Sequence, residues 1–191
     1  VMKRLLLLLA VLTVGIFSTE AQEYRYAKRG YFRSVRVGVM HDQTTTFSLE
    51  TVGCSVDLVN GYAFNKWFMM GGGIGVQYTI YNIDSDDNSG QTNVKVPIYL
   101  HLRANVLDRK VTPYFSLNLG GGFCKGYLPD LGPDANRAEV NGSYEFYYVE
   151  PLAGVAVRFG GGKMLELGLS FYADFGRGMN GGPRLGVGFT W

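Results

Sequence analysis

Residues 94–106 read Val-Lys-Val-Pro-Ile-Tyr-Leu-His-Leu-Arg-Ala-Asn-Val. The even positions, Val94, Val96, Ile98, Leu100, Leu102, Ala104 and Val106, are all apolar. The odd positions carry Lys95, Pro97, Tyr99, His101, Arg103 and Asn105. Successive side chains of a strand point to opposite faces, so this stretch has one apolar and one polar face. A helical period would scatter the same charges around the apolar stripe. Pro97 has no N–H for a ladder and predicts either a bulge or a locally missing hydrogen bond in the strand.

The same test, run outward along the chain, finds seven further segments: 32–41, 48–62, 67–81, 112–125, 145–159, 163–175 and 184–191. Their apolar sets, such as Val35-Val37-Val39 and Leu165-Leu167-Leu169-Phe171, are almost free of charge through their middles. The opposite sets mix glycine with Arg36, Asp57, Lys95, Arg103, Glu150, Arg158, Glu166, Asp174 and Arg184. The connections sort by parity. Those after strands two, four and six are short, at Gly61–Asn65, Leu107–Val111 and Gly160–Gly162. Those after strands one, three, five and seven are mostly longer and polar, through His41–Phe47, Asp84–Asn93, Gly126–Ser143 and Gly176–Pro183. An even number of strands with short turns at one end and longer loops at the other is the pattern of an outer-membrane barrel. The fold expected is therefore all-β, an eight-stranded antiparallel up-and-down transmembrane barrel.

Composition agrees. Glycine is 27 of 191 residues, aromatics are 14% and charged residues only 18%, which suits many short strands better than helices. The net charge is +2 and the basic residues are scattered, so no nucleic-acid partner is implied. Three segments are expected. Residues 1–21 form a signal peptide: Lys3 and Arg4 precede the apolar run Leu5–Phe17, and Thr19-Glu20-Ala21 offers small residues for cleavage. Residues 22–30 form a short N-terminal periplasmic segment, and 31–191 the barrel. No later stretch has the 18 or more consecutive apolar residues of a transmembrane helix, whereas strands cross a bilayer with a much weaker signal.

The apolar face is assigned to lipid and the polar face to the lumen. An eight-stranded barrel is just wide enough inside for side chains, so large and very small residues must share it. Aromatics gather near both ends of the apolar face. Tyr62, Phe64, Phe68, Phe115, Phe159 and Trp191 lie toward the short turns, and Tyr78, Phe123, Tyr127, Phe171 and Phe175 toward the long loops. Two such rings are the girdles expected at the two membrane interfaces.

The chain resembles small outer-membrane β-barrels of the OmpA/OmpX-like group, of the kind found in Bacteroidetes-type bacteria. The resemblance rests on Thr19-Glu20-Ala21-Gln22, on Asn60-Gly61-Tyr62-Ala63-Phe64 ahead of Gly71-Gly72-Gly73-Ile74-Gly75-Val76, and on Val96-Pro97-Ile98-Tyr99-Leu100. Thr112-Pro113-Tyr114-Phe115 and Gly186-Val187-Gly188-Phe189-Thr190-Trp191 complete it. It implies residence in the bacterial outer membrane, with membrane lipid and lipopolysaccharide as neighbours. A last strand ending in an aromatic, with Phe189 two positions before it, is similar to the signal read by the barrel-assembly machinery. The implied role is structural or surface-interacting; a small-solute channel and a lipid-modifying barrel enzyme stand as alternatives.

No catalytic, cofactor-binding or metal site is expected. Cys54 falls on the apolar face and Cys124 on the polar face of non-adjacent strands, which does not suit a disulfide. Two cysteines and two histidines fall short of a zinc set. The runs Gly71–Gly73 and Gly120–Gly122 lack the Gly-Lys-Ser/Thr of a phosphate loop and sit inside strands. A serine nucleophile needs an oriented histidine; His101 lies mid-strand among charges, and His41, beside Asp42 at the long-loop rim, is the one candidate worth mutating. Asp84-Ser85-Asp86-Asp87-Asn88 lacks the glycine and glutamate of an EF-hand loop and reads as solvated surface. The 126–143 loop is the expected surface for an extracellular ligand, because exposed loops on a rigid scaffold carry most binding.

In the lumen, Arg36, Lys95, Arg103, Arg158 and Arg184 face Asp57, Glu150, Glu166 and Asp174. Buried charges need partners, so this near balance predicts salt-bridged rows that close the interior, with Arg103 and Glu150 in the closing network.

Overall fold

The computed structural model describes residues 29–44, 50–81, 91–128, 140–176 and 179–191. The targeting segment, the acidic 84–88 stretch and residues 129–139 of the long loop lie outside the described residues. Eight strands run in chain order: β1 (Gly30–Thr44), β2 (Glu50–Ala63), β3 (Phe68–Tyr81), β4 (Gln91–Asn105), β5 (Val111–Leu128), β6 (Val140–Arg158), β7 (Met164–Phe175) and β8 (Met179–Thr190). Each pairs antiparallel with its sequence neighbour, and β8 returns to β1, closing the barrel.

The register fixes the shape. Following partners once around, Gly30 leads to Ala63, Met69, Arg103, Ser116, Leu152, Ser170 and Arg184. The circuit comes back to β1 at Met40, ten residues beyond its start. At a rise of about 3.3 Å per residue and a strand spacing of about 4.8 Å, that shift tilts the strands by about 40°. With only eight strands the wall stays close enough for side chains from opposite strands to meet.

Pro97 resolves in favour of the missing bond. Ile74 pairs with Ile98 and Gln77 with Lys95, so the ladder lapses opposite Pro97 while the register continues unshifted. The same lapse occurs beside Pro151, between the pairs Val149–Ala173 and Leu152–Ser170. A third lies beside Pro183, between Met40–Arg184 and Gln43–Gly181. Each proline removes one donor without displacing the faces on either side.

The long-loop end departs from the sequence reading in two places. The connection after β7 is short, because β8 begins at Met179, which pairs with Phe175. Gly181, Gly182 and Pro183, expected in a loop, belong to the ladder. The expected 126–143 loop is also shorter, since β5 continues to Leu128 and β6 begins at Val140, and these ends pair with one another. Asn141-Gly142-Ser143 is therefore strand. The β5–β6 hairpin runs beyond its neighbour on one side: β7 ends opposite Tyr147.

The short-turn end is tightly tied. In the β2–β3 turn, Asn65 Oδ1 accepts the backbone N–H groups of Trp67 and Phe68 at 2.7 and 2.8 Å. In the β4–β5 turn, Thr112 Oγ1 accepts the Leu107 N–H at 3.0 Å. The β6–β7 link is a single 3-10 turn in which Gly161 and Gly162 take φ of 82° and 85°, values that favour glycine.

The two faces separate as the periodicity predicts. Along β7 burial alternates without a break from Met164 through Ser170. Val37, Leu58, Ile74, Ile98, Leu119, Leu167 and Val187 stand outward and exposed, while charged residues turn inward. Aromatics ring both ends of the outer face. Phe64, Phe68, Phe115, Phe159 and Trp191 are exposed toward the short turns, joined by Tyr31 and Trp67. Tyr78, Phe123, Phe171 and Phe175 are exposed toward the long loops, joined by Tyr147. An apolar outer belt between aromatic girdles and a polar interior is the inverse of a soluble barrel: the fold is that of a transmembrane barrel.

Candidate functional site

The lumen holds the chemistry. All nine charged residues expected there are buried: Arg36, Asp57, Lys95, Arg103, Glu150, Arg158, Glu166, Asp174 and Arg184. They form tiers along the barrel axis.

At the short-turn mouth, Arg158 Nη1 donates to Asp108 Oδ1 at 3.2 Å, and Lys66 Nζ meets Asp108 Oδ2 at 3.0 Å. The Lys66 carbonyl accepts from Arg158 Nη2 and Asn105 Nδ2, at 3.2 and 3.3 Å, so two turns are laced to the end of β6. One tier inward, Arg103 pairs with Glu166. Thr190 Oγ1 donates to the same carboxylate at 2.6 Å, and Arg103 Nε donates to Asn105 Oδ1 at 3.0 Å. The Arg103 guanidinium also lies 3.9 Å from the Tyr114 ring centre, close enough for a cation–π contact.

The middle tier is the densest. Arg184 bridges two carboxylates, pairing with Asp57 and placing Nε 3.3 Å from Glu150 Oε1. Glu150 further accepts from Ser170 Oγ and Asn118 Nδ2, both at 2.6 Å, and from Tyr148 OH at 2.8 Å. Tyr99 OH donates to Asp57 at 3.2 Å. Because Asn118 gives its amide N–H to Glu150, its oxygen receives from His101, whose Nδ1 therefore carries the proton at 2.7 Å. Arg36 lies in the field of Glu150 and Glu166 and links the two tiers electrostatically. Toward the long loops, Lys95 Nζ meets Asp174 Oδ2 at 2.6 Å from across the barrel.

Room for these chains comes from the glycines. A Cβ at Gly73 would clash with the Tyr99 ring, and one at Gly154 or Gly168 would run into Tyr114. Glycine on the polar face thus works as the socket for an inward tyrosine.

Arg103 and Glu150, expected together in the closing network, belong to neighbouring tiers: Arg103 holds Glu166, and Glu150 is held by Arg184. Cys54 is exposed on the outer wall and Cys124 buried inside, with no bridge between them. His41 is half-buried near the long-loop end. His101 is committed to Asn118 within the network, and Ser170 to Glu150, so the lumen presents no serine–histidine pair of the kind a hydrolase uses among the described residues. Among the described residues no three His, Cys, Asp or Glu side chains gather as a metal site.

Several inward residues escape the sequence reading. Phe146, Tyr148 and Leu152 share the parity of Glu150, and extending it in both directions would find them. Met69 and Met164 look like lipid-facing residues at strand ends. Asp108 sits in a turn, where no periodicity points to it.

No protein-family model matches the chain, and no curated protein matches it. Solved structures do. Neisserial surface protein A is similar at 13% identity with a TM-score of 0.58, over 84% of this chain and 96% of that one. Ail, the attachment invasion locus protein of Yersinia pestis, in complex with the heparin analogue sucrose octasulfate, is similar at 14% identity with a TM-score of 0.53. The match covers 86% of this chain and 100% of Ail. The beta domain of the Bordetella autotransporter BrkA is similar at 10% identity and a TM-score of 0.50, over 85% of this chain and 99% of that domain. At such identities the likeness is one of fold, and it is a likeness to small outer-membrane barrels.

Proposed function

We propose that this chain is an integral protein of the bacterial outer membrane with a structural or surface-interaction role. Its short turns lie in the periplasm, its long loops outside the cell, and its lumen is closed by ion pairs. The observation that carries the reading is the pairing of an apolar outer belt with an interior whose charges are mostly paired with one another. A wall of that kind requires lipid outside, and an interior so filled leaves little space for a solute path. The names of two structural neighbours, a surface protein and an attachment protein, accord with display at the cell surface. Lipid and lipopolysaccharide are then its surroundings, and β8 with Phe189, followed by Trp191, is the segment offered to the assembly machinery.

Membrane fractionation tests the location. The protein is expected in the outer-membrane fraction, migrating faster on a gel unheated than boiled; recovery as a soluble periplasmic protein would overturn it. Protease added to whole cells tests the orientation. Cleavage is expected within residues 126–143, where an extracellular ligand would dock, with Leu107–Val111 spared. Cleavage confined to that turn would reverse the topology.

A further inference from the structure

Arg33 and Asn60 interrupt the apolar belt. Arg33 on β1 pairs with Asn60 on β2, and Asn60 with Gly72 on β3; all three are exposed on the outer wall. Between the two aromatic girdles the other outward side chains among the described residues are apolar, glycine or Cys54. Directly paired residues place their Cβ atoms about 5 Å apart, so a guanidinium and an amide share one spot on the wall. Neither side chain has a polar partner among the described residues. Gly72 leaves the wall bare beside them, since a Cβ there would meet nothing within 4 Å. Two residues nearer the short turns, Tyr31 pairs with Tyr62, their rings at right angles and 5.5 Å apart. On strands tilted by about 40°, that offset sets Arg33 and Asn60 about 5 Å deeper than the tyrosines. A cation on a lipid-facing wall is costlier with depth, and an amide left without a partner is costly too. Both can still reach the head-group level, Arg33 through its long stem. The turns at this end are basic. Arg29, Lys66, Arg109, Lys110 and Lys163 are exposed there, and Asp108 is the one acidic side chain among the described residues.

We propose that this face is a docking surface for an anionic phospholipid, its phosphate held by Arg33 and Asn60. The proposal rests on the outer-membrane reading above, with the short turns in the periplasm, and concerns a lipid of the leaflet on that side. The guanidinium fork matches two phosphate oxygens, and the Asn60 amide N–H donates to the same group. The acyl chains run up the wall past Gly72 and over the next outward row, in which Val35 pairs with Leu58 and Leu58 with Ile74. Charge selects the lipid: the basic rim concentrates anionic head groups, while a zwitterionic lipid gains less from it. A second copy of the chain fits worse. A two-fold contact here would set Arg33 against Arg33, and no outward acidic side chain stands in the belt among the described residues to answer them.

Trp191 is placed to report on the site, because its backbone exchanges two hydrogen bonds with that of Arg33. The test uses protein carrying Trp67→Phe, folded into vesicles of phosphatidylcholine and phosphatidylglycerol in equal parts. Bromine, which quenches tryptophan, is carried on the acyl chains of one lipid or of the other. Brominated phosphatidylglycerol is expected to quench Trp191 more, corresponding to a local enrichment of about fivefold, the scale of one basic side chain acting on an anionic lipid. Arg33→Leu should remove most of that preference and Asn60→Leu part of it; both suit a lipid-facing position, so folding is preserved. Lys110→Gln, a rim cation on β4–β5 rather than beside the site, should leave most of the preference in place. Equal quenching by the two lipids in a barrel that shows the fast-migrating folded form would overturn the proposal alone. So would a preference that survives Arg33→Leu with Asn60→Leu, or one that Lys110→Gln reduces as far as Arg33→Leu does. Protein that never yields the folded form in vesicles would overturn the outer-membrane reading, and the proposal with it.

Discussion

At the scale of the residue, a buried ion pair in the lumen adds little to stability while intact and costs a great deal once one partner is removed. Lys95 and Asp174 are both fully buried and meet at 2.6 Å. Taking two charges out of water costs about what their attraction returns, whereas leaving one behind costs about 3–5 kcal/mol. Lys95→Met alone is therefore expected to destabilise by about that amount, read from urea unfolding in lipid vesicles. Lys95→Met with Asp174→Leu should recover most of the loss; a double variant as unstable as the single one would mean that the charges matter beyond their pairing. Arg184→Ala should be worse than either single change, because it strands Asp57 and Glu150 together. Which residues turn inward is legible from parity alone. Who pairs with whom is not, because partners on different strands are set by the ten-residue shift around the barrel. That shift gives Glu166, and not Glu150, to Arg103.

At the scale of the element, a strand is read correctly where its two faces differ and misread where glycine blurs them. In β4 every second residue except Pro97 is charged, aromatic or amide, and the sequence reading places it within a few residues. In the first half of β8, Asn180-Gly181-Gly182-Pro183 has no apolar face to count, so alternation gives no strand there. Ladder pairing to β7 decides that segment, and pairing is a property of two strands. The glycines of β3 have a similar logic. Gly73 exists because the Tyr99 ring fills the space a Cβ would need. Gly73→Ala should destabilise by about 1–3 kcal/mol through overpacking, seen as a lower urea midpoint and less of the fast-migrating folded form. Adding Tyr99→Leu should restore part of that loss, since the new methyl then meets a smaller neighbour. If the second change only adds to the first, the socket account of these glycines fails.

At the scale of the whole molecule, the barrel can be either a conduit or a filled post, and the register argues for the post. The shift of ten residues brings β4 within reach of β7: Lys95 reaches Asp174 and Arg103 reaches Glu166 across the interior. Arg184 on β8 reaches past one strand on either side, to Asp57 on β2 and Glu150 on β6. The β4–β7 bridges span the lumen where an ion would pass, and aromatic rings add to the filling, with Tyr99 and Tyr148 at 5.8 Å between ring centres. An ion entering would have to displace a bonded charge in a medium where doing so is expensive. Folded wild-type protein in a planar bilayer is therefore expected to show no steady conductance. Shortening one bridge should change this in a position-dependent way. Arg103→Ala frees Glu166 and widens the narrow tier beside Met164, so it should admit small cations, drawn by the uncompensated carboxylate. Lys66→Ala, at the exposed mouth where solvent already screens its pair with Asp108, should leave the bilayer silent. Steady conductance in the wild type would mean that the bridges open on their own, and the closed-lumen reading would be wrong. Equal conductance in both variants would place the barrier somewhere other than the Arg103 tier.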